Sequence, residues 1–110
     1  VELVKDNEVV VLWLKRNELQ EFGFEKGDTD GFVNYGLSLA GVKVSAFFME
    51  DLYEDFIKIS FRSKEDVDVN QFARKSFNGG GHINAAGGKY LKSLEETISD
   101  FKKIVEKEGI

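Results

Sequence analysis

The residues best suited to chemistry lie in one glycine-rich run that holds the chain's only histidine and five of its 11 glycines, Asn78-Gly79-Gly80-Gly81-His82-Ile83-Asn84-Ala85-Ala86-Gly87-Gly88. Three consecutive glycines place no Cβ in the path of a ligand and permit positive φ, so backbone N–H groups can converge on an anion. We expect His82, Asn84 and the alanines to start a short helix, whose free N–H groups and positive dipole end would face the same point. The run therefore predicts a phosphate-binding site.

Common phosphate-binding loops do not account for this run. No Gly-Lys-Ser/Thr follows the glycines, as it would in a Walker A loop, and the dinucleotide-binding pattern GxGxxG is missing. A flexible glycine hinge with a surface histidine is the alternative interpretation of the run. For His82 itself, the alternative is a neutral imidazole buried against backbone.

A second candidate is the pair Arg62 and Ser63 at the end of a predicted strand over residues 56–62. Alternation places Ile57, Ile59 and Phe61 on the core face, so Arg62 faces outward. We expect its guanidinium fork and the Ser63 hydroxyl to stand side by side and to hold a pair of phosphate oxygens. An arginine that is merely solvated is the alternative.

The charge distribution favours an anionic ligand near the glycines. The net charge of −5 argues against general nucleic-acid binding. Between residues 58 and 92, however, seven cations stand against three anions, a local excess of +4. An anion would be steered toward this segment, although most of the lysines could simply solvate outer faces.

Apolar periodicity outlines the elements that must position these residues. We expect a strand over 9–14 that is covered on both faces and central in the sheet, helices over 15–24 and 31–38, and a half-buried strand over 42–49. Asp28 and Asp30 are interpreted as helix caps rather than a metal pair. A helix capped by Asp68 and Gln71, a short edge strand over 89–91 and a last helix with a capping box at Ser93 complete the chain. The fold class is α/β, a single domain with a mixed sheet of about four strands flanked by helices.

Length and composition exclude several classes of protein. A chain of 110 residues is one domain, and the absence of cysteine excludes disulfides and thiolate chemistry. No apolar run approaches the roughly 18 residues of a membrane span, so we expect a cytoplasmic protein that does not engage membranes. The chain begins at Val1 rather than Met, from which we expect a fragment of a longer protein.

The pattern Gly79-Gly80-Gly81-His82-x-x-Ala85-Ala86-Gly87 resembles the signature of the DHH-associated domain, type 1, the substrate-binding C-terminal half of DHH phosphoesterases. Three further segments are similar to the bacterial oligoribonuclease/3'-phosphoadenosine 5'-phosphate phosphatase (nanoRNase) branch. They are Thr29-Asp30-Gly31-Phe32-Val33-Asn34-Tyr35, Phe61-Arg62-Ser63-Lys64, and Val67-Asp68-Val69-Asn70 with Ala73. The resemblance runs from about residue 28 to residue 88.

This resemblance implies that residues 1–110 form one substrate-binding domain of a longer phosphoesterase. The N-terminal DHH catalytic domain would carry an Asp/His cluster for two manganese ions, and this chain would hold no catalytic residue or metal ligand and would be inactive alone. Arg62 and Ser63 would hold a terminal phosphate, while Gly79, Gly80, Gly81 and His82 would cradle the nucleotide.

The implied substrate is a short single-stranded RNA or DNA or a nucleoside 3',5'-bisphosphate, and the parent protein could form a homodimer. Two alternatives stay open. One is a cyclic-dinucleotide phosphodiesterase, which shares the glycine motif. The other is a non-catalytic module that binds a nucleotide or mediates assembly.

Overall fold

Strands and helices alternate along most of the chain in the computed structural model, which describes residues 1–23 and 26–108. In chain order the elements are β1 (Glu2–Val4), β2 (Val9–Leu14), α1 (Arg16–Glu21), α2 (Lys26–Leu37), β3 (Val44–Glu50), β4 (Ile57–Ser63), α3 (Val69–Ser76), β5 (Gly80–His82), β6 (Ala85–Tyr90) and α4 (Leu94–Glu108). None of the helices in these ranges is long and apolar enough to cross a membrane.

The strands form one mixed sheet in the order β1-β2-β3-β4-β6-β5. Strands β2 and β3 are parallel, and every other neighbouring pair is antiparallel. The predicted α/β domain with a mixed sheet is confirmed, but the sheet has six strands rather than four. Two short strands were missed, because β1 has three residues and β5 is Gly-Gly-His, which has little intrinsic strand preference.

A phenylalanine cluster on one face of the sheet forms the main core. The rings of Phe48, Phe61, Phe72, Phe77 and Phe101 contact one another with centroid separations of 5.1–6.4 Å. Phe72 lies in α3, Phe77 directly follows α3, and Phe101 lies in α4. Both helices therefore cover this face. Edge-to-face and tilted ring pairs of this kind add to the stabilisation from burial alone.

Helix α2 covers only part of the opposite face, over β2, β3 and part of β4. A smaller cluster of Val10, Leu12, Val33, Val42 and Phe47 lies beneath it. Both faces of β2 are therefore buried, as predicted, although β2 is second in the order rather than central. Strand β3 is also buried on both faces, whereas we expected it to be buried on one face only.

Helix α2 begins earlier than predicted. Residues 27–31, which we expected to form a turn with a helix cap, lie inside the helix. Gly36, near its end, is buried, and a Cβ there would lie 2.7 Å from the Ser45 Oγ. Glycine thus allows the helix to approach the sheet closely. Tyr35, predicted for the apolar side, is 65% exposed, and Val33 is the buried residue instead.

The ends of α3 and α4 match the sequence signals. The Asp68 carboxylate accepts a hydrogen bond from the backbone N–H of Gln71 at 3.0 Å, which caps α3. Asn78 adopts a φ of 51° just beyond the helix, as expected for the residue that ends it. The Ser93 hydroxyl likewise accepts from the Glu96 N–H at 3.1 Å at the start of α4.

Helix α4 is also tied to β6 through Asp100. Its carboxylate accepts hydrogen bonds from the Tyr90 hydroxyl and the Lys92 ammonium, both at 2.8 Å. The bond from Lys92, followed by the bond from Tyr90, holds the pKa of Asp100 below its ordinary value of 3.8. These contacts fix the far end of β6 relative to the core.

Candidate functional site

The glycine-rich run folds as a β-hairpin. Strands β5 and β6 are joined by the two residues Ile83 and Asn84, and the hairpin pairs Gly80 with Gly87 and His82 with Ala85. The short helix expected after His82 is therefore wrong. Both alanines are committed to β6, which pairs in turn with β4 and so lies inside the sheet rather than at its edge.

Close packing explains why glycines are needed in this hairpin. A Cβ on Gly79 would lie 1.8 Å from the carbonyl oxygen of Gly87, and one on Gly81 would lie 2.5 Å from that of Ala85. Neither distance is sterically possible. The glycines thus allow the end of α3 and the two strands to meet.

The same geometry overturns part of the expected backbone cradle. The N–H of Gly79 donates to the carbonyl oxygen of Ala73 at 3.3 Å, and the N–H of Gly81 donates to Asn70 Oδ1 at 2.8 Å. These two groups are already used within the domain and do not converge on an external anion. Asn70 instead serves this loop from the first turn of α3.

Strands β6 and β5, together with the part of β4 that α2 does not contact, present a face without a covering helix. Alternation along β4 turns Lys58, Ser60 and Arg62 away from the phenylalanine cluster. We call this surface of β4, β6 and β5 the open face. It carries those three side chains together with Ala85, Lys89 and His82, and the backbone of Gly80 and Gly87 forms its floor.

Arg62 and His82 lie in one row across the open face. Arg62 pairs with Ala85, and Ala85 pairs with His82, so the three residues are in register on β4, β6 and β5. Two strand spacings separate the Cα atoms of Arg62 and His82, a distance of roughly 10 Å. Ala85, whose side chain is only a methyl group, is the residue between Arg62 and His82 in this row, so no bulky side chain separates the two positions.

The Arg62 guanidinium is held at the border between α2 and the open face. Its Nη2 donates to Asp30 Oδ1 at 3.0 Å, and its Nη1 donates to the carbonyl oxygen of Phe61 at 2.9 Å. The arginine side chain is 20% exposed, whereas that of Asp30 is 64% exposed. Asp30 thus pairs with arginine in the folded domain, a role that neither the cap nor the metal-pair interpretation included.

Ser63 does not stand beside the guanidinium, so that expectation is wrong. Its side chain lies on the core side of β4 and is only 5% exposed. The hydroxyl donates to the carbonyl oxygen of Val67 at 2.6 Å, lies 3.2 Å from that of Ile83, and accepts from Asn84 Nδ2 at 3.0 Å. Successive residues of a strand point to opposite faces, so Arg62 and Ser63 cannot both face the ligand.

Two residues that sequence reasoning did not assign complete the site. Asn84 Nδ2 also lies 3.1 Å from the Glu65 carbonyl oxygen, so this amide joins the hairpin turn to the segment after β4. Asp30 is the second. A carboxylate on the outer side of a helix that packs beside a strand-end arginine could have indicated its pairing with Arg62.

The residues in 1–23 and 26–108 include no group of three or more His, Cys, Asp or Glu side chains that could hold a metal ion.

Known proteins share this architecture. The model of the DHHA1 domain family matches residues 6–108. A 3',5'-cyclic-nucleotide phosphodiesterase of Helicobacter pylori is 31% identical over 88 residues, which cover 72% of this chain and 25% of that protein. The crystal structure of an exopolyphosphatase-related protein from Bacteroides fragilis superposes with a TM-score of 0.88 at 40% identity, covering 96% of this chain and 31% of that one.

A more distant structure shows the fold alone. A pGpG-specific phosphodiesterase of Vibrio cholerae superposes with a TM-score of 0.60 at 16% identity and covers 91% of this chain and 32% of its own. The chain thus spans between a quarter and a third of the length of these relatives. Because the family model covers nearly all of the described residues, the chain belongs to the DHHA1 domain family, the DHH-associated domains of DHH phosphoesterases.

Proposed function

We propose that this chain is the substrate-binding domain of a cytoplasmic, manganese-dependent DHH phosphoesterase that acts on short oligonucleotides or on a nucleoside 3',5'-bisphosphate. The observation that carries this proposal is the row formed by Arg62 and His82 across the open face. An arginine fork and an imidazole donor on either side of a small residue suit a phosphate group. The shared family and the name of the Helicobacter relative, a phosphodiesterase, support the same class of ligand.

In this proposal the chain binds and orients the substrate rather than cleaving it. Arg62 holds a terminal phosphate, and His82 donates to a phosphate oxygen from the opposite side of the row. A DHH catalytic domain in the same protein, N-terminal to this one, supplies the two manganese ions and the attacking water. The described residues do not fit a two-metal centre, so no step is assigned to a metal on this chain.

A cyclic-dinucleotide phosphodiesterase is the second candidate, and the name of the Helicobacter relative, a 3',5'-cyclic-nucleotide phosphodiesterase, supports action on a cyclic phosphodiester. Both candidates require an anion site at Arg62 and His82. A non-catalytic module for nucleotide binding or assembly would retain this site but lack activity in the whole protein. Ligand affinity therefore tests the site, and manganese-dependent turnover by the whole protein tests the assignment as an enzyme.

The test is calorimetric titration of the full-length protein with a 5'-phosphorylated dinucleotide and with the same dinucleotide lacking the phosphate, under chelator so that turnover is stopped. Arg62→Ala is expected to weaken the phosphorylated ligand by roughly 10- to 100-fold, which corresponds to about 1.5–3 kcal/mol for a charge-assisted bond. Arg62→Lys should not restore affinity, because an ammonium cannot form two parallel N–H···O bonds.

His82→Ala is expected to weaken the phosphorylated ligand as well, without loss of the cooperative unfolding transition. Lys103→Ala, on the exposed side of α4, removes one positive charge away from the open face and serves as the control. Equal weakening of both dinucleotides by Arg62→Ala would show that Arg62 does not recognise the phosphate.

A further inference from the structure

We propose that Lys58 and Lys89 form a second phosphate subsite at the far end of the open face, which takes the third phosphate of a short single-stranded oligonucleotide. This inference rests on the proposed function, since it assumes that a nucleotide ligand is anchored at Arg62. It adds a minimum ligand length to that function. It also separates oligonucleotides from the two smaller ligand classes that the site at Arg62 alone would accept.

The two lysines stand directly opposite each other. Lys58 on β4 is paired in register with Lys89 on β6, and both side chains project from the open face. Like charges in directly opposed positions of an antiparallel pair are destabilising. Across residues 1–23 and 26–108, neither ammonium forms a salt bridge with a carboxylate. A bound phosphate would relieve this repulsion, because both ammonium groups could donate to its oxygens.

The surroundings of the lysine pair leave room for a ligand. A shallow depression of about 470 Å³ extends from Lys58 and Lys89 over Ser60, Gly80 and Gly87. Glycines and one serine form its floor, so a ribose or base can lie flat against the backbone. The Lys89 ammonium lies 4.6 Å from the centroid of the Phe56 ring, a cation–π contact that holds this side chain at the rim.

The carboxylate at this rim is already engaged. Asp51 lines the same depression, but its Oδ2 accepts hydrogen bonds from the backbone N–H groups of Tyr53 and Glu54, both at 3.0 Å. These bonds fix the turn between β3 and β4. The carboxylate is thereby held in the turn, and the lysine pair remains available to an external anion.

The distance between the two subsites sets the length of the ligand. Arg62 and Lys58 lie four residues apart on β4, which corresponds to roughly 13 Å at the rise of a strand. Adjacent phosphates of a nucleic acid are joined by a single nucleoside, which spans about half of that distance. A nucleoside 3',5'-bisphosphate and a cyclic dinucleotide each carry two phosphates, and a single nucleoside separates them. A ligand that reaches both subsites must therefore carry a third phosphate in sequence.

The test compares three ligands in the full-length protein under chelator, namely a nucleoside 5'-monophosphate, a dinucleotide and a trinucleotide, each 5'-phosphorylated. The variant K58Q/K89Q is expected to weaken the trinucleotide by roughly 3- to 10-fold and to reduce the slope of log affinity against log salt by about 0.7, the value for one single-strand phosphate contact. The monophosphate and the dinucleotide should be unaffected. The double variant K103Q/K107Q, which removes two exposed charges from α4, is the matched control, and K58Q/K89Q should unfold at a midpoint no lower than that of the unmodified protein.

The outcomes separate this inference from the proposed function. Equal affinity of K58Q/K89Q and the unmodified protein for the trinucleotide, while Arg62→Ala weakens all three ligands, would overturn the second subsite alone. Uniform weakening of all three ligands by the double variant would also overturn it, because the lysines would then act only through the overall charge. Insensitivity of every ligand to Arg62→Ala would overturn the proposed function itself.

Discussion

Replacement of Ser63 by alanine separates a structural role from a ligand-binding one. The hydroxyl is buried and contacts the carbonyl oxygens of Val67 and Ile83 and the side-chain amide of Asn84. Its removal takes one partner from each of these three part-buried polar groups, which together costs about 1–3 kcal/mol. For a domain of this size the midpoint of thermal unfolding should fall by roughly 4–12 °C.

Two measurements on the same variant decide the question. Thermal unfolding by circular dichroism is expected to show the lower midpoint, while calorimetry below that midpoint should show unchanged affinity for a 5'-phosphorylated dinucleotide. Ser60→Ala, on the same strand but on the open face, is the matched control and should leave the midpoint within about 1 °C, since surface substitutions of this kind are nearly neutral. An unchanged midpoint together with a large loss of affinity in Ser63→Ala would refute the structural role of this hydroxyl.

Two further substitutions test the border of the site and the hairpin. Asp30→Asn removes a negative charge that an anion on Arg62 would face at about 6 Å. Calorimetry should therefore show roughly 3- to 10-fold tighter binding of the phosphorylated dinucleotide. Weaker binding would mean that Asp30 is needed to orient Arg62. Gly79→Ala places a Cβ against the Gly87 carbonyl oxygen and should cost about 3 kcal/mol or more in thermal unfolding, whereas Gly31→Ala, with open space at the Cβ position, should be neutral or stabilising.

Apolar periodicity predicted the elements whose stability comes from a regular buried side. Strands β2 and β4, the cap of α3 and the last helix all follow from the sequence, because their patterns and caps agree with the final packing. The edge strand β5 could not be predicted in this way. Gly-Gly-His has no buried stripe, and it becomes a strand only through its pairing with β6.

The candidate site was predictable only in part. The outward direction of Arg62 follows from alternation along β4, and the same rule applied one residue further places Ser63 on the core side. The position of His82 in the same row as Arg62 depends on the register of β4, β6 and β5, which a two-residue hairpin turn sets. The pairing of Asp30 with Arg62 depends on where α2 packs, and no local pattern indicates that position.

Helices cover one side of β4 and β6 completely and the other side only partly. This difference decides which residues of the domain can be substituted without loss of stability. The phenylalanine cluster that stabilises the fold and the polar residues of the open face lie on opposite sides of the same strands. Substitution of an open-face side chain such as Lys58 or Ser60 leaves the interior packing untouched. Ligand preference can therefore diverge, or be redesigned, through a few exchanges on one surface while the folding stability of the domain is preserved.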